Sequence, residues 1–180
     1  MATNTLTPVN EYLGTSYRPD CDYVDGEVQE RNLGEQEHSD LQLQLLKMLG
    51  TAESELYVLA NPEIRVQVNE TRFRVPDVCV RRATAPSERI IRHAPLLCIE
   101  ILSPRDTVSG MRERVRDFLD MGVVQVWVFD TATRSVMIFS GSTMVEQNEG
   151  DLLVPETPIV LSTAEIFKGL DRYVSGVEKA

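Results

Sequence analysis

The sequence predicts an α/β domain on a mixed β-sheet, and three observations predict it. The run Leu96-Leu97-Cys98-Ile99-Glu100-Ile101-Leu102 is apolar except for one carboxylate, the pattern of a strand buried on both faces. An amphipathic stretch follows, and after it Gln125-Val126-Trp127-Val128-Phe129-Asp130 is again almost continuously apolar, as expected of a central, parallel strand reached by a helical crossover. Short alternating segments on either side supply antiparallel strands, so helices on both faces are expected to close the core.

Taken in order, residues 8–14 form a short amphipathic segment with Val9, Tyr12 and Leu13 apolar, closed by Gly14. Asp22-Tyr23-Val24-Asp25-Gly26-Glu27-Val28 alternates around an Asp-Gly signal and predicts a hairpin whose second arm starts at Glu27. From His38 to about residue 52, Leu41, Leu45, Met48 and Leu49 recur at helical spacing, with Ser39 or Asp40 as the cap. Strands are expected over residues 56–59, 63–68, 73–80 and 96–102, with Asn69-Glu70 as a turn and residues 81–95 as a loop or short helix. Pro76, which offers no ladder donor, marks an end, edge or bulge in the third of these. A helix over residues 107–121 carries Met111, Val115, Phe118 and Leu119 on one stripe and stops at Gly122. Residues 135–139 and 143–146 form an antiparallel meander. Ser162-Thr163-Ala164-Glu165 is a capping-box pattern that opens a last helix through Leu170.

With 180 residues and 42% hydrophobic content, the chain is expected to be one domain over residues 1–180 with a substantial core. No stretch is apolar for long enough to span a bilayer, and residues 1–10 lack the regions of a secretory signal, so a cytoplasmic protein is expected. Cys21, Cys79 and Cys98 have no paired spacing, which argues against disulfides and zinc. The net charge of -10 argues against coating nucleic acid by bulk electrostatics. Its distribution is uneven: residues 65–116 hold eleven arginines, no lysine and six acids. That excess reads either as solvated surface charge or as a phosphate-facing patch on an acidic body.

Two acids break the apolar pattern. Glu100 lies in the buried run, and period-two alternation puts Asp77 on one face with Phe73, Val75 and Cys79. A desolvated carboxylate without a partner is costly, so each is expected to be protonated, paired or given a metal. Two carboxylates on neighbouring strands, together with a main-chain carbonyl, suit magnesium or manganese, which favour oxygen ligands and keep several waters. Such an ion activates water and stabilises the charge that develops as a phosphodiester is cleaved. Glu27 and Glu30 are candidate accessory acids, and His38 reads as a capping or surface residue in preference to a site residue.

Pro76-Asp77, then Glu100-Ile101-Leu102-Ser103-Pro104, then Gly122-Val123 and Val126-Trp127-Val128-Phe129-Asp130 resemble the Uma-type restriction endonuclease family, a branch of the PD-(D/E)XK nuclease superfamily. Tyr23-Val24-Asp25-Gly26-Glu27 and His38 match the same pattern, and the resemblance covers about residues 11–170. It implies a restriction-endonuclease-like core, a mixed sheet flanked by helices with an additional antiparallel hairpin. It implies metal at Asp77 and Glu100, with the carbonyl of Ile101 as third ligand, and a Mg-dependent endodeoxyribonuclease acting on DNA. The superfamily's lysine two residues after the second acid is Leu102 here; in this family a lysine on the following helix stands in for it, and Arg114 occupies that position. Arginine keeps the charge but cannot act as a base, and its fork suits gripping phosphate. The roles implied are therefore metal ligation by Asp77 and Glu100, charge stabilisation by Arg114, and a further ligand or water-orienting group in Glu27.

Two other readings stand beside this one. The fold can serve as a binding or regulatory module without chemistry, or the two acids can be salt-bridge partners of buried arginines such as Arg74 or Arg114. Cutting both strands of a duplex would favour a homodimer, for which Trp127 and the strand-rich C-terminal half offer apolar surface.

Overall fold

The structure, a computed structural model, describes residues 6–32, 35–51 and 57–171. The chain begins with α1 (Val9–Gly14), whose Tyr12 is fully buried and donates its hydroxyl to the Cys21 carbonyl at 2.7 Å. The expected hairpin follows as β1 (Asp22–Val24) and β2 (Glu27–Gln29). Its two-residue turn, Asp25-Gly26, has positive φ at both positions, the twist a tight hairpin needs. Helix α2 (Gln36–Thr51) then buries Leu41, Leu45 and Leu49. It starts earlier than expected, so Ser39 and Asp40 lie inside its first turns and are not caps. Ala52 and Leu56, each at the end of an expected element, fall outside the described residues.

Strands β3 (Val58–Pro62), β4 (Val66–Asn69), β5 (Arg72–Arg74) and β6 (Val78–Arg82) come next. The single strand expected over residues 73–80 is two strands in two sheets. Among the described residues, β5 belongs to a four-stranded antiparallel sheet in the order β2-β1-β5-β4, while β6 belongs to a six-stranded sheet. Pro76 lies in the break, where a residue without an N–H costs no ladder bond and the chain passes from one sheet to the other.

The larger sheet is completed by β7 (Leu97–Ile101), β8 (Gln125–Asp130), β9 (Ser135–Ser140) and β10 (Thr143–Gln147), in the order β10-β9-β8-β7-β6-β3. Among the described residues of this sheet only β7 and β8 pair in parallel, and α3 (Val108–Met121) is the crossover between them, as the two apolar runs predicted. Thr107 caps α3, its Oγ1 accepting from the Gly110 N–H at 3.1 Å.

Gly122 ends α3 at a φ of 102°, where only glycine is unstrained. Gly122→Ala is expected to destabilise the protein by about 1–2 kcal/mol, read as a lowered urea midpoint. The added Cβ would meet Ala94 Cβ at an ordinary 3.6 Å, so the cost is in the backbone.

The chain closes with β11 (Asp151–Leu153), β12 (Val160–Ser162) and α4 (Thr163–Lys168). The expected capping box does not form: Ser162 makes no side-chain cap bond, and Thr163 Oγ1 donates instead to the Gly150 carbonyl at 2.9 Å. The helix also stops short of Leu170.

Side chains from the two faces of the larger sheet feed two apolar layers. Leu97, Ile99, Ile101, Trp127 and Phe129 pack with α2 and α4, while Cys98, Val126 and Val128 pack with Met111, Val115 and Phe118 of α3. Trp127 is fully buried and so offers no docking surface, contrary to expectation; its indole N–H is satisfied by Gln125 Oε1 at 3.0 Å. Among the described residues no helix is long and apolar enough to cross a membrane.

Candidate active site

Antiparallel pairing of β6 with β7 sets Val78 opposite Ile99 and Cys79 opposite Cys98. One step further, the same register sets Asp77 opposite Glu100. Asp77, just before β6, is held by His38 and Gln42 of α2, whereas Glu100 in β7 is held by Arg114 of α3, so the two acids stand at neighbouring strand ends and are gripped from opposite faces of the sheet. The Ile101 N–H donates to Asp77 Oδ2 at 2.7 Å, which ties the two strand ends together.

Asp77 is 1% exposed and fully engaged. Its Oδ1 accepts from Arg31 Nη2, its Oδ2 lies 3.3 Å from His38 Nε2, and its carbonyl accepts from Gln42 Nε2 at 2.8 Å. Burial alone would raise its pKa, but the His38 contact, the Arg31 charge and the Ile101 N–H together hold it below the usual carboxylate value. Arg31 is held charged by Asp77 and Glu100 against the opposing effect of its own burial.

Glu100 is 6% exposed and differs in kind. One oxygen, Oε2, accepts from Arg114 Nη1 at 3.1 Å, while the other, Oε1, is buried with no hydrogen-bond partner among the described residues. Burial, opposed by Arg114 and reinforced by the Asp77 charge, pushes its pKa up to about 8. Arg114 reaches it from α3 and is itself oriented by Asp106, whose Oδ1 accepts from Arg114 Nη2 at 2.9 Å and from Asn32 Nδ2 at 2.9 Å. Asp106 Oδ2 in turn accepts from the Ser103 N–H at 2.8 Å, so the Ser103-Pro104 turn and the arginine share one anchor.

Above the pair, cavities of about 80 and 330 Å³ share Glu30, Arg31 and Asn32 in their walls, and Arg114, Arg74 and Asp22 line the smaller one. The two carboxylates lie beneath these guanidiniums and not in the cavity walls. Glu27 does not join them. It is exposed at the end of the hairpin, and among the described residues no hydrogen bond or ion pair links it to Asp77 or Glu100. The acid that the hairpin contributes is Asp22, at the far end of β1, which accepts from the Val75 N–H at 2.9 Å and from Arg74 Nη1 at 3.0 Å. Glu27 directly follows the turn, at the end of the hairpin away from the site, and β2 runs back from there towards Gln29 opposite Asp22.

The arginine-rich segment is only partly a patch. Arg65 pairs with Asp20, Arg72 with Asp25, Glu113 and Asp117, and Arg74 with Asp22 and Asp117. Of the two arginines named as structural partners for the acids, Arg114 does pair with Glu100, whereas Arg74 pairs with neither site acid.

A divalent cation is implied by the resemblance, and the donor set suits a hard one. Among the described residues no three His, Cys, Asp or Glu side chains converge as a cage. Two carboxylates, one with an unpartnered buried oxygen, and the neighbouring Ile101 main chain are the type of set magnesium uses when water and phosphate complete its shell.

Sequence reasoning missed three groups that touch the pair or its partner. Arg31 and Asp106 lie in polar loops where nothing marks them, although Ser103-Pro104-Arg105-Asp106 carries a turn pattern. His38 matches the family pattern but reads from its own place in the sequence as a capping or surface residue, and the structure sets it against Asp77.

A family model described as putative restriction endonuclease, Uma2, matches residues 11–166. No curated protein matches the chain. A crystal structure described as that of a putative nuclease from Anabaena variabilis is similar in fold, with a TM-score of 0.76 at 22% identity, over 91% of this chain and 99% of that one.

Proposed function

The chain belongs to the Uma2 putative restriction endonuclease family, and from that premise we propose that it is a metal-dependent nuclease that hydrolyses DNA phosphodiester bonds at Asp77 and Glu100. The observation that carries this reading is Glu100 Oε1, a buried carboxylate oxygen left without a partner beside a second carboxylate and under a rim of guanidiniums. An unsatisfied buried oxygen is expensive, and a cation is the partner that removes the expense.

Asp77 and Glu100 would hold magnesium or manganese, with the Ile101 carbonyl as third protein ligand. The ion supplies Lewis-acid stabilisation of the charge that develops at phosphorus. His38 and the Ile101 N–H fix the orientation of Asp77, and Asp106 fixes that of Arg114. Arg114 is held charged by Glu100 and Asp106 against its own burial, so its part is to grip a phosphate oxygen and not to take a proton. The same reading places the protein inside the cell with its substrate, as a two-fold dimer where both strands of a duplex are cut.

The rival reading, a purely structural ion-pair network, draws on the guanidinium that each acid already has. It leaves Glu100 Oε1 unexplained. Manganese titration by calorimetry, with cleavage of single-stranded, flapped and duplex DNA measured in magnesium and manganese, separates the two. One manganese site and metal-dependent cleavage are expected, both lost in Asp77→Ala. No manganese binding, or equal cleavage by the variant, overturns the nuclease reading.

A further inference from the structure

A further cavity, of about 500 Å³, opens one side chain away from Asp77 and falls within the size range of small-ligand pockets, about 300–1,000 Å³. Glu63 is the shared wall: it lines this cavity, its carboxylate pairs with Arg31 at 3.3 Å, and its N–H donates to the Asp77 carbonyl at 3.4 Å. The half-buried Leu13, Ile64 and Ile90 form an apolar floor, and the exposed Arg89 and Arg92 stand at the rim.

The wall holds two acids, Asp20 and Glu63, but they pair with Arg65 and Arg31, which leaves Arg89 and Arg92 as the surplus charge at the rim. Arg65, which also lines the cavity, is spent on Asp20 at 2.5 and 2.7 Å and lies over the Tyr12 ring at 4.5 Å. Arg89 makes no hydrogen bond or ion pair among the described residues, and the Arg92 side chain meets only the neutral Gln67, at 3.0 Å. The nearby Glu88 carboxylate accepts from the Arg92 main-chain N–H at 3.1 Å and from neither guanidinium, so two guanidiniums without an ion pair, in a chain of net charge -10, mark a place for an anion. An apolar floor beside them adds room for the face of a base. In an uninterrupted duplex the bases are stacked inside and cannot reach such a floor, whereas an unpaired nucleotide can.

We propose that this cavity seats an unpaired nucleotide flanking the scissile phosphate, with its base on Leu13, Ile64 and Ile90 and its backbone phosphate against Arg89 and Arg92. The substrate class is then single-stranded or flapped DNA and not continuous duplex. The word scissile rests on the nuclease reading; the seat for an unpaired nucleotide does not.

The test uses the full chain in EDTA with fluorescein-labelled dT12 and a blunt 12-base-pair duplex, read by anisotropy across a salt series. The parent should bind dT12 at least tenfold more tightly than the duplex. Arg89→Ala with Arg92→Ala should weaken dT12 binding at least tenfold and lower the slope of log affinity against log salt by about 1.4. Arg89→Lys with Arg92→Lys, which keeps both charges, should recover that slope. A loss under tenfold in the alanine pair, duplex bound as tightly as dT12, or no binding of either DNA overturns the proposal. Manganese calorimetry on the same variants reports on the Asp77–Glu100 pair separately. Weakened dT12 binding in a protein that takes no manganese would sink the nuclease reading and leave the nucleotide seat standing.

Discussion

Glu100→Gln is expected to abolish manganese binding, to reduce cleavage at least about 100-fold, and yet to make the protein more stable than the parent at alkaline pH. The Glu100 carboxyl titrates near 4.5 when unfolded and is pushed up to about 8 in the fold, first by burial and then by the Asp77 charge, with Arg114 opposing both. Between those values the folded state holds a proton that the unfolded state has lost. The stability this contributes is therefore full below pH 4.5 and drains away as pH rises through 8. A neutral glutamine of the same shape does not titrate, and its Oε1 can still accept from Arg114. The difference in unfolding free energy should move toward the variant by about 2–4 kcal/mol between pH 5 and pH 9, as read from urea denaturation at each pH. Parallel pH profiles for parent and variant would instead mean that Glu100 is ionised at neutral pH and satisfied by Arg114. Manganese must expel the same proton, so its affinity for the parent should rise about tenfold per pH unit up to roughly pH 8.

What the sequence made legible and what it hid follow from the range of the interactions involved. Glu100 stands out because one charge in a run of seven otherwise apolar residues is an energetic contradiction visible in the chain itself. Asp77 stands out because it follows a proline and shares the parity of apolar neighbours, and the parallel β7–α3–β8 unit is written in two apolar runs and one amphipathic stripe. These are local signals. The partners of the two acids are not local: Arg31 is 46 residues from Asp77, and Arg114, which meets Glu100, is anchored in turn by Asp106 across a turn. Such choices are made by packing, which no periodicity records. Glu27 shows the converse error. Its place in a motif drew attention, but the turn sends it outward, while Asp22 on the same hairpin points in. The arginine-rich stretch misled for the same reason, since a count of charges along the chain cannot show that Asp20, Asp25, Asp22 and Asp117 come from elsewhere to pair with Arg65, Arg72 and Arg74.

Arg31→Gln is expected to bind manganese at least tenfold more tightly than the parent, although Arg31 looks like part of the site. Its guanidinium, 10% exposed, takes Asp77 Oδ1 with one nitrogen and Glu63 with another, and Glu100 also contributes to holding it charged. The positive charge is therefore close to where a shared divalent ion would stand. At 4 Å and an effective dielectric constant near 20, a unit charge and a divalent cation repel by about 8 kcal/mol, so the two cannot occupy Asp77 together. Metal entry in the parent thus includes turning Arg31 out, and the glutamine variant is spared that step. Its metal-free form should be less stable, by about 1–3 kcal/mol, because Asp77 Oδ1 loses its partner in a buried setting. Saturating manganese should then raise the melting temperature of Arg31→Gln by more than it raises that of the parent, since ligand stabilisation grows with affinity. The opposite result, with weaker manganese binding and a smaller thermal shift, would show that Arg31 works with the metal by holding Asp77 in place. Arg31→Lys tells the two apart a second time: a competitor's charge persists in lysine and keeps the affinity low, whereas a loss that lysine fails to repair points to the fork as the orienting device.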